Sequence, residues 1–376
     1  MHLTTVLFDL DGTLARMDQD LFIETYFKKL GALVASHGYD PKQIIQAIWA
    51  GTGAMLKNDG SMTNEECFWK VFFDSGLPDA KGLKPLLDHF YANEFDTIRE
   101  ITSPNKLSRK MIASLRRKGY KIGLATSPVF PRIATELRIA WAGLVPTDFD
   151  LITTYENSHY GKPSEGYYRE VLQVLGSAPE ECIMIGNDVD EDMCTERLGL
   201  SVYLVTEHLL NRHNTDYSSY PQGNLSDLAA YLEALPDLRF SYRRMAQYHE
   251  TDQMGIIYHA NYIQWFEEAR VAWMDHLGYG YDAMEKAGIG SPVLEVHCSY
   301  HSPVRFHDTV LVRLRLTEFT GTRLRVSYEV SDEATGALRA TGESSHCFVE
   351  CSTGMPVSLK KKHPDIYELF CKQMRK

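Results

Sequence analysis

Two aspartates stand two residues apart in Val6-Leu7-Phe8-Asp9-Leu10-Asp11-Gly12-Thr13-Leu14. Successive residues of a strand point to opposite faces, so only a turn beginning at Leu10 lets both acids reach one pocket. Gly12 and Thr13 supply that turn. Three further pieces lie far along the chain. Thr126 follows Lys121-Ile122-Gly123-Leu124-Ala125, and Lys162 sits in Tyr160-Gly161-Lys162-Pro163. Asp188 and Asp192 close Ile185-Gly186-Asn187-Asp188-Val189-Asp190-Glu191-Asp192. A carboxylate can attack phosphorus when a cation offsets the repulsion between anions. Hard oxygen donors favour Mg²⁺. A hydroxyl and an ammonium can hold phosphoryl oxygens. A second acid can protonate the leaving oxygen and then activate water.

A second constellation runs from Tyr248-His249-Glu250-Thr251-Asp252 through Gly255-Ile256-Ile257-Tyr258-His259-Ala260-Asn261-Tyr262. Gly255 suits a turn conformation that other residues avoid. His259-Ala260-Asn261 opens a helix, whose free N–H groups bind negative charge developing on oxygen. That is an oxyanion site for acyl transfer. The Asp252 carboxylate can attack a thioester or activate water. His259 can polarise the carbonyl or serve as base.

The elements that must position these groups fall into two textures. Residues 4–10 read as a buried strand ending in a turn. From 20 to about 100 the pattern is helical, with Leu21, Phe22, Ile23, Tyr26, Phe27 and Leu30 recurring on one side. Leu107, Met111 and Leu115 mark another helix, closed by Lys118-Gly119. Strands follow at Tyr120 to Ala125, Cys182 to Ile185 and Val202 to Val205, with a helix at Tyr167 to Leu175. Alternating strands and helices predict an α/β domain with a doubly wound parallel sheet. Ligands bind beyond the carboxyl ends of such strands, where all four pieces of the first constellation lie. The helical block breaks the rhythm and reads as a separate cap at about 16–100. Beyond Pro236 the texture changes. A strand, Phe240 to Tyr248, leads into a long helix over 260–277 with a wide apolar side. Alternating stretches at Val310 to Leu316 and Leu324 to Val330 then predict an α+β module.

The chain has 376 residues, 44% hydrophobic and 24% charged, with a net charge of −11. At roughly 150 residues per domain this is two or three modules. The acidic balance argues against nucleic acid and against an anionic membrane as partner. No apolar run approaches the ~18 residues of a membrane span, and no signal peptide is visible. The seven cysteines form no CxxC pair. Reduced thiols in a cytoplasmic protein fit best.

The first constellation, in its order and spacing, resembles the phosphatase branch of the haloacid dehalogenase-like superfamily over residues 1 to about 236. The resemblance implies Asp9 as nucleophile and Asp11 as general acid/base. It implies phosphate binding by Thr126 and Lys162. Mg²⁺ would be held by Asp9, the Asp11 carbonyl and Asp188, with Asp192 in support. Asp190 is a rival acid, and Asn187 departs from the pattern. The helical block would be the type-1 cap that supplies specificity. The second constellation resembles the 4-hydroxybenzoyl-CoA thioesterase-like branch of the hotdog-fold acyl-CoA thioesterases over about 238–365. It implies Asp252 as catalytic carboxylate and Tyr248 and His259 as assisting groups. The His259 N–H would donate to the thioester carbonyl. Coenzyme A would lie loosely on the surface as part of the substrate. The site would lie between subunits of a homodimer or homotetramer.

The sequence therefore predicts two domains, 1–236 and 237–376, in one bifunctional hydrolase. One half would be a Mg²⁺-dependent phosphatase of a small phosphate ester, the other an acyl-CoA thioesterase. Two alternatives stand beside it. The first domain could be a non-catalytic assembly or regulatory module, or it could be a phosphomutase.

Overall fold

The computed structural model describes residues 3–374 and divides into two compact units, Met1–Leu238 and Arg239–Lys376. No helix among the described residues is long and apolar enough to cross a membrane.

The first unit is built on a six-stranded sheet. Its strands are β1 (Thr5–Phe8), β2 (Lys121–Leu124), β3 (Leu151–Ile152), β4 (Cys182–Gly186), β5 (Ser201–Val205) and β6 (Gln222–Gly223). The order is β3-β2-β1-β4-β5-β6, and every pairing is parallel. This is the predicted doubly wound sheet. β1 and β4 are buried throughout, as continuous apolar strands covered on both faces must be. Register aligns Phe8 with Leu124 and Ile185. The residues that follow these three strands therefore leave the sheet at one level.

Helices α1 (Gln19–Ser36), α2 (Pro41–Leu56), α3 (Asn64–Phe73) and α4 (Ala80–His89), with short turns to Ile101, form the insert after β1. Local signals start each of the first three. Asp18 caps α1 by accepting from the Leu21 N–H, and Asp40 caps α2 ahead of Pro41. Thr63 and Glu66 form a reciprocal capping box on α3. The buried sides of these helices make an aromatic core of Phe22, Tyr26, Phe68, Phe72, Phe90 and Phe95. It continues onto Ala134 and Trp141. Helices α5 (Lys106–Arg117), α6 (Arg132–Trp141), α7 (Glu165–Leu175) and α8 (Leu225–Glu233) complete the unit.

The second unit opens with β7 (Ser241–Met245), a single turn at Tyr248–Glu250, α9 (Asn261–His276) and α10 (Tyr281–Lys286). Then come β8 (Ile289–Gly290), β9 (Val293–Tyr300), β10 (Thr309–Phe319), β11 (Arg323–Asp332), β12 (Leu338–Cys347) and β13 (Val349–Glu350). The chain ends in α11 (Leu359–Lys362) and α12 (Pro364–Met374). Five strands form one antiparallel sheet, β7-β10-β11-β12-β9. α9 buries Tyr262, Trp265, Phe266, Ala269, Arg270, Trp273 and Met274. Phe266 stacks on Tyr328 of β11 at 4.4 Å. Gly342 of β12 permits this approach, since a Cβ there would meet the Phe266 ring at 2.3 Å. The first strand is shorter than predicted. It stops at Met245, and Tyr248 belongs to the turn after it.

Two candidate active sites

β1 delivers Asp9 to the carboxyl edge of the first sheet, where its N–H still donates to the Ile185 carbonyl. The chain then turns. Gly12 adopts a φ of +80°, and Thr13 and Ala15 both donate to the Leu10 carbonyl. A Cβ on Gly12 would meet Asn187 Nδ2 at 2.4 Å. The departure at Asn187 thus has a structural use. It accepts from the Thr13 hydroxyl at 3.1 Å and donates to the His208 carbonyl, tying the first acidic loop to the last.

Lys162 is the centre of the site. It is buried, and its Nζ donates to Asp9 Oδ1 at 2.9 Å and to Asp192 Oδ1 at 2.6 Å. Burial works against its charge, but Asp192 and Asp9 overcome that and hold the ammonium well above the usual lysine range. Burial pushes the Asp192 carboxyl up to about 6 even against Lys162. It raises Asp9 and Asp11 too, against the pull of Lys162 and Arg138 respectively. Thr126 is buried beside them, and its carbonyl accepts from the Thr153 and Tyr167 hydroxyls.

Asp188 and Asp190 separate cleanly. Asp188 is buried, accepts from the Asp190 and Glu191 N–H groups through Oδ1, and pairs with Arg212 at 2.8 Å through Oδ2. Asp190 points instead to His213 and Thr215 on an exposed loop. Asp192 has both oxygens engaged, one by Lys162 and one by the Asp188 N–H. It supports the site rather than offering a free ligand atom.

The sequence reading missed Arg138. This arginine is on the buried face of α6 among Ala134, Thr135 and Ile139, and it pairs directly with Asp11. Its guanidinium lies 4.6 Å from the centre of the Phe130 ring. Arg138 Nε and Asp11 Oδ1 are both buried without a partner. The available signal was a single arginine on an otherwise apolar helical face.

The residues present suit a divalent cation by charge. Asp9, Asp11, Asp188, Glu191 and Asp192 face Lys162, Arg138 and Arg212, which leaves an excess of two negative charges. The unpartnered Asp11 oxygen is a hard donor of the right type. No three Asp, Glu, His or Cys side chains converge as a ready cage among the described residues. The half-exposed Arg212 covers Asp188 Oδ2 and must move for that oxygen to serve a metal.

In the second unit, Asp252 and His259 flank a tight hairpin. The Asp252 N–H donates to the Ile256 carbonyl at 2.9 Å, and Gly255 turns the tip with a φ of +69°. Asp252 Oδ1 accepts from the Met254 N–H at 2.8 Å. His259 is exposed beside Tyr258, and its carbonyl accepts from the Tyr300 hydroxyl at 2.9 Å. α9 begins at Asn261, and its N-cap Ala260 supplies no side-chain cap. No described residue accepts from the His259 N–H. Tyr248 is 74% exposed and meets Phe306 edge-on. No hydrogen bond joins Asp252, His259 and Tyr248 to one another among the described residues.

Glu250 is what holds this hairpin, and the sequence reading did not single it out. Its buried carboxylate accepts from Arg244 at 2.7 Å, Trp265 Nε1 at 2.9 Å and the Gln247 N–H at 2.7 Å. Its carbonyl accepts from the Tyr258 N–H and from Asn261 Nδ2, both at 2.8 Å. The start of α9 is thereby pinned to the loop that carries Asp252.

The families that match this chain fall on either side of residue 238. The family model described as haloacid dehalogenase-like hydrolase matches residues 3–193, and a HAD-hydrolase-like model matches 159–229. The thioesterase-like superfamily model matches 246–369. The Bacillus subtilis protein named "Putative acyl-CoA thioesterase YneP" is 36% identical over 124 residues, 33% of this chain and 89% of that one. Pyrophosphatase PpaX of Bacillus cereus is 24% identical over 242 residues, 64% of this chain and all of PpaX. The solved DHNA-CoA thioesterase of Staphylococcus aureus is 35% identical with a TM-score of 0.34, covering 35% of this chain and 88% of that one.

Proposed function

Since the chain belongs to the haloacid dehalogenase-like hydrolases through its first unit and to the thioesterase-like superfamily through its second, we propose a phosphatase and an acyl-CoA thioesterase acting from one polypeptide. Both halves are hydrolases.

For the first half, the observation that carries the reading is the buried Asp9–Lys162–Asp192 chain beside Asp11. Asp9 attacks phosphorus, and the bond from phosphorus to the leaving oxygen breaks. Asp11 gives that oxygen its proton. Water then cleaves the aspartyl phosphate, Asp11 takes the water's proton, and phosphate leaves. Lys162 and Thr126 hold the phosphoryl oxygens. A Mg²⁺ held by Asp9, the Asp11 carbonyl and Asp188 would supply the charge that offsets anion repulsion. The excess of two negative charges supports that assignment.

For the second half, the uncapped start of α9 next to Asp252 carries the reading. The carbonyl oxygen of the thioester develops negative charge against the His259 N–H. Asp252 attacks the carbonyl or activates the water that does. The carbon–sulfur bond breaks, and coenzyme A leaves as the thiol together with the free acid. His259 and Tyr248 assist. One unit does not bring these groups into contact, which supports a site completed by a second copy. β9 supports it too. Among the described residues it is an edge strand paired only with β12, and its Leu294 and Tyr300 are 52% and 47% exposed.

The test uses Asp9→Asn and Asp252→Asn in the full chain, each assayed on an aryl phosphate and an acyl-CoA panel. Asp9→Asn should abolish phosphate release and spare thioester cleavage, and Asp252→Asn should do the reverse. Unchanged phosphatase turnover in Asp9→Asn removes the nucleophile assignment. A full thioesterase rate in Asp252→Asn removes the second.

A further inference from the structure

A cavity of about 330 Å³ opens from Asp11 into the helical insert. This is the small end of the range for ligand pockets, about 300–1,000 Å³. Its walls are aromatic. Phe22, Phe27 and Trp49 come from α1 and α2, Phe68 and Trp69 from α3, and Phe130 from the segment before α6. Charge is confined to one end. The charged residues of the lining are Asp11, Arg138, Glu191 and Arg212. Arg138 pairs with Asp11, and Arg212 with Asp188 and Gln19, so both cations lie at the catalytic end whether or not Arg212 moves for a metal. The Tyr26 and Tyr91 hydroxyls bond to each other at 2.8 Å. No cation remains at the far end to receive a carboxylate or a second phosphate. The other polar side chains of the lining, Gln19, Thr52, Ser127 and Tyr155, are outnumbered by apolar ones, so a polyol would bury several hydroxyls against carbon. Trp49 is 50% exposed at this wall and packs against Phe27 at 5.3 Å, an apolar surface that a ligand ring would cover.

We propose that the first site takes phosphate monoesters of small uncharged aromatic alcohols, with the ring in the insert's cavity and the phosphate at Asp9. Pyrophosphate and polyol phosphates are then poor substrates. This rests on the phosphatase reading, and the experiment separates the two. Benzyl phosphate is compared with glycerol 3-phosphate and inorganic pyrophosphate on the full chain with Mg²⁺. Benzyl alcohol and glycerol are leaving groups of similar basicity, so their difference reports the pocket. Benzyl phosphate should show a kcat/KM about 100-fold above the other two. Trp49→Ala should lower the benzyl-to-glycerol ratio about tenfold, mainly through KM, and Trp49→Phe should restore most of it. Equal rates on glycerol phosphate or pyrophosphate, abolished by Asp9→Asn, overturn the substrate class and leave the phosphatase standing. An unchanged ratio in folded Trp49→Ala also overturns it. No turnover of any phosphate by the wild type removes both.

Discussion

At the scale of the residue, Arg138 is the group on which the first site depends beyond its motif. A buried guanidinium is tolerated because Asp11 and the Phe130 face meet it. Removing it would strand the Asp11 charge, and breaking a buried pair from one side costs about 3 kcal/mol or more. Arg138→Leu should therefore lower the melting temperature of the first unit and depress phosphate release, while Arg138→Lys keeps part of both. A melting temperature equal to wild type would show that Asp11 does not need the partner. Asp9, Asp11, Lys162, Asp188 and Asp192 were legible because each follows a strand or opens a helix at a fixed place in the chain. Arg138 was not. Its role comes from α6 bringing Arg138 to Asp11, 127 residues away in sequence, a tertiary fact that no local spacing carries. Glu250 was hidden in the same way. An acid two residues before Asp252 reads as part of a polar loop until Arg244 and Trp265 are seen to enclose it.

At the scale of the element, the parallel sheet and α9 were legible because their periods of apolar residues match what they bury. β9 was not, because six of its eight residues are exposed and its outward apolar side chains do not mark a core. β12 carries a further feature that its alternation concealed. His346 is fully buried, with Nε2 on the Ser344 hydroxyl at 2.7 Å and Nδ1 unpartnered. Burial and the nearby Arg270 charge push its pKa down to about 4. A base depressed on folding contributes stability above its unfolded pKa, about 6.5, and loses it as pH falls. The second unit should lose stability as pH falls from about 6.5 towards 4. His346→Gln, which cannot titrate, should flatten that slope in thermal unfolding followed across the same range. An equal slope in both proteins would place the acid sensitivity elsewhere.

At the scale of the whole molecule, the two sites differ in what they need. The phosphatase groups meet within residues 9–192, held by bonds that Lys162, Asn187 and Arg138 make inside one unit. The thioesterase groups share a hairpin but do not meet, and the β9 edge, with exposed apolar residues, reaches the His259 carbonyl through Tyr300. On the proposed reading, fusion joins a site whose groups meet in one copy to a site that a second copy would complete. A charge placed on β9 should part them. Leu294→Lys puts an ammonium on the exposed apolar face, where pairing with a second β9 would desolvate it. Gel filtration should show the assembly falling to a monomer. Thioester cleavage should drop about 30-fold or more, since truncating a central interface contact costs about 2 kcal/mol or more. Phosphate release per chain should stay within about twofold of wild type, because no group of the first site lies in the second unit. A monomeric Leu294→Lys with full thioesterase activity would show that one copy suffices for both reactions.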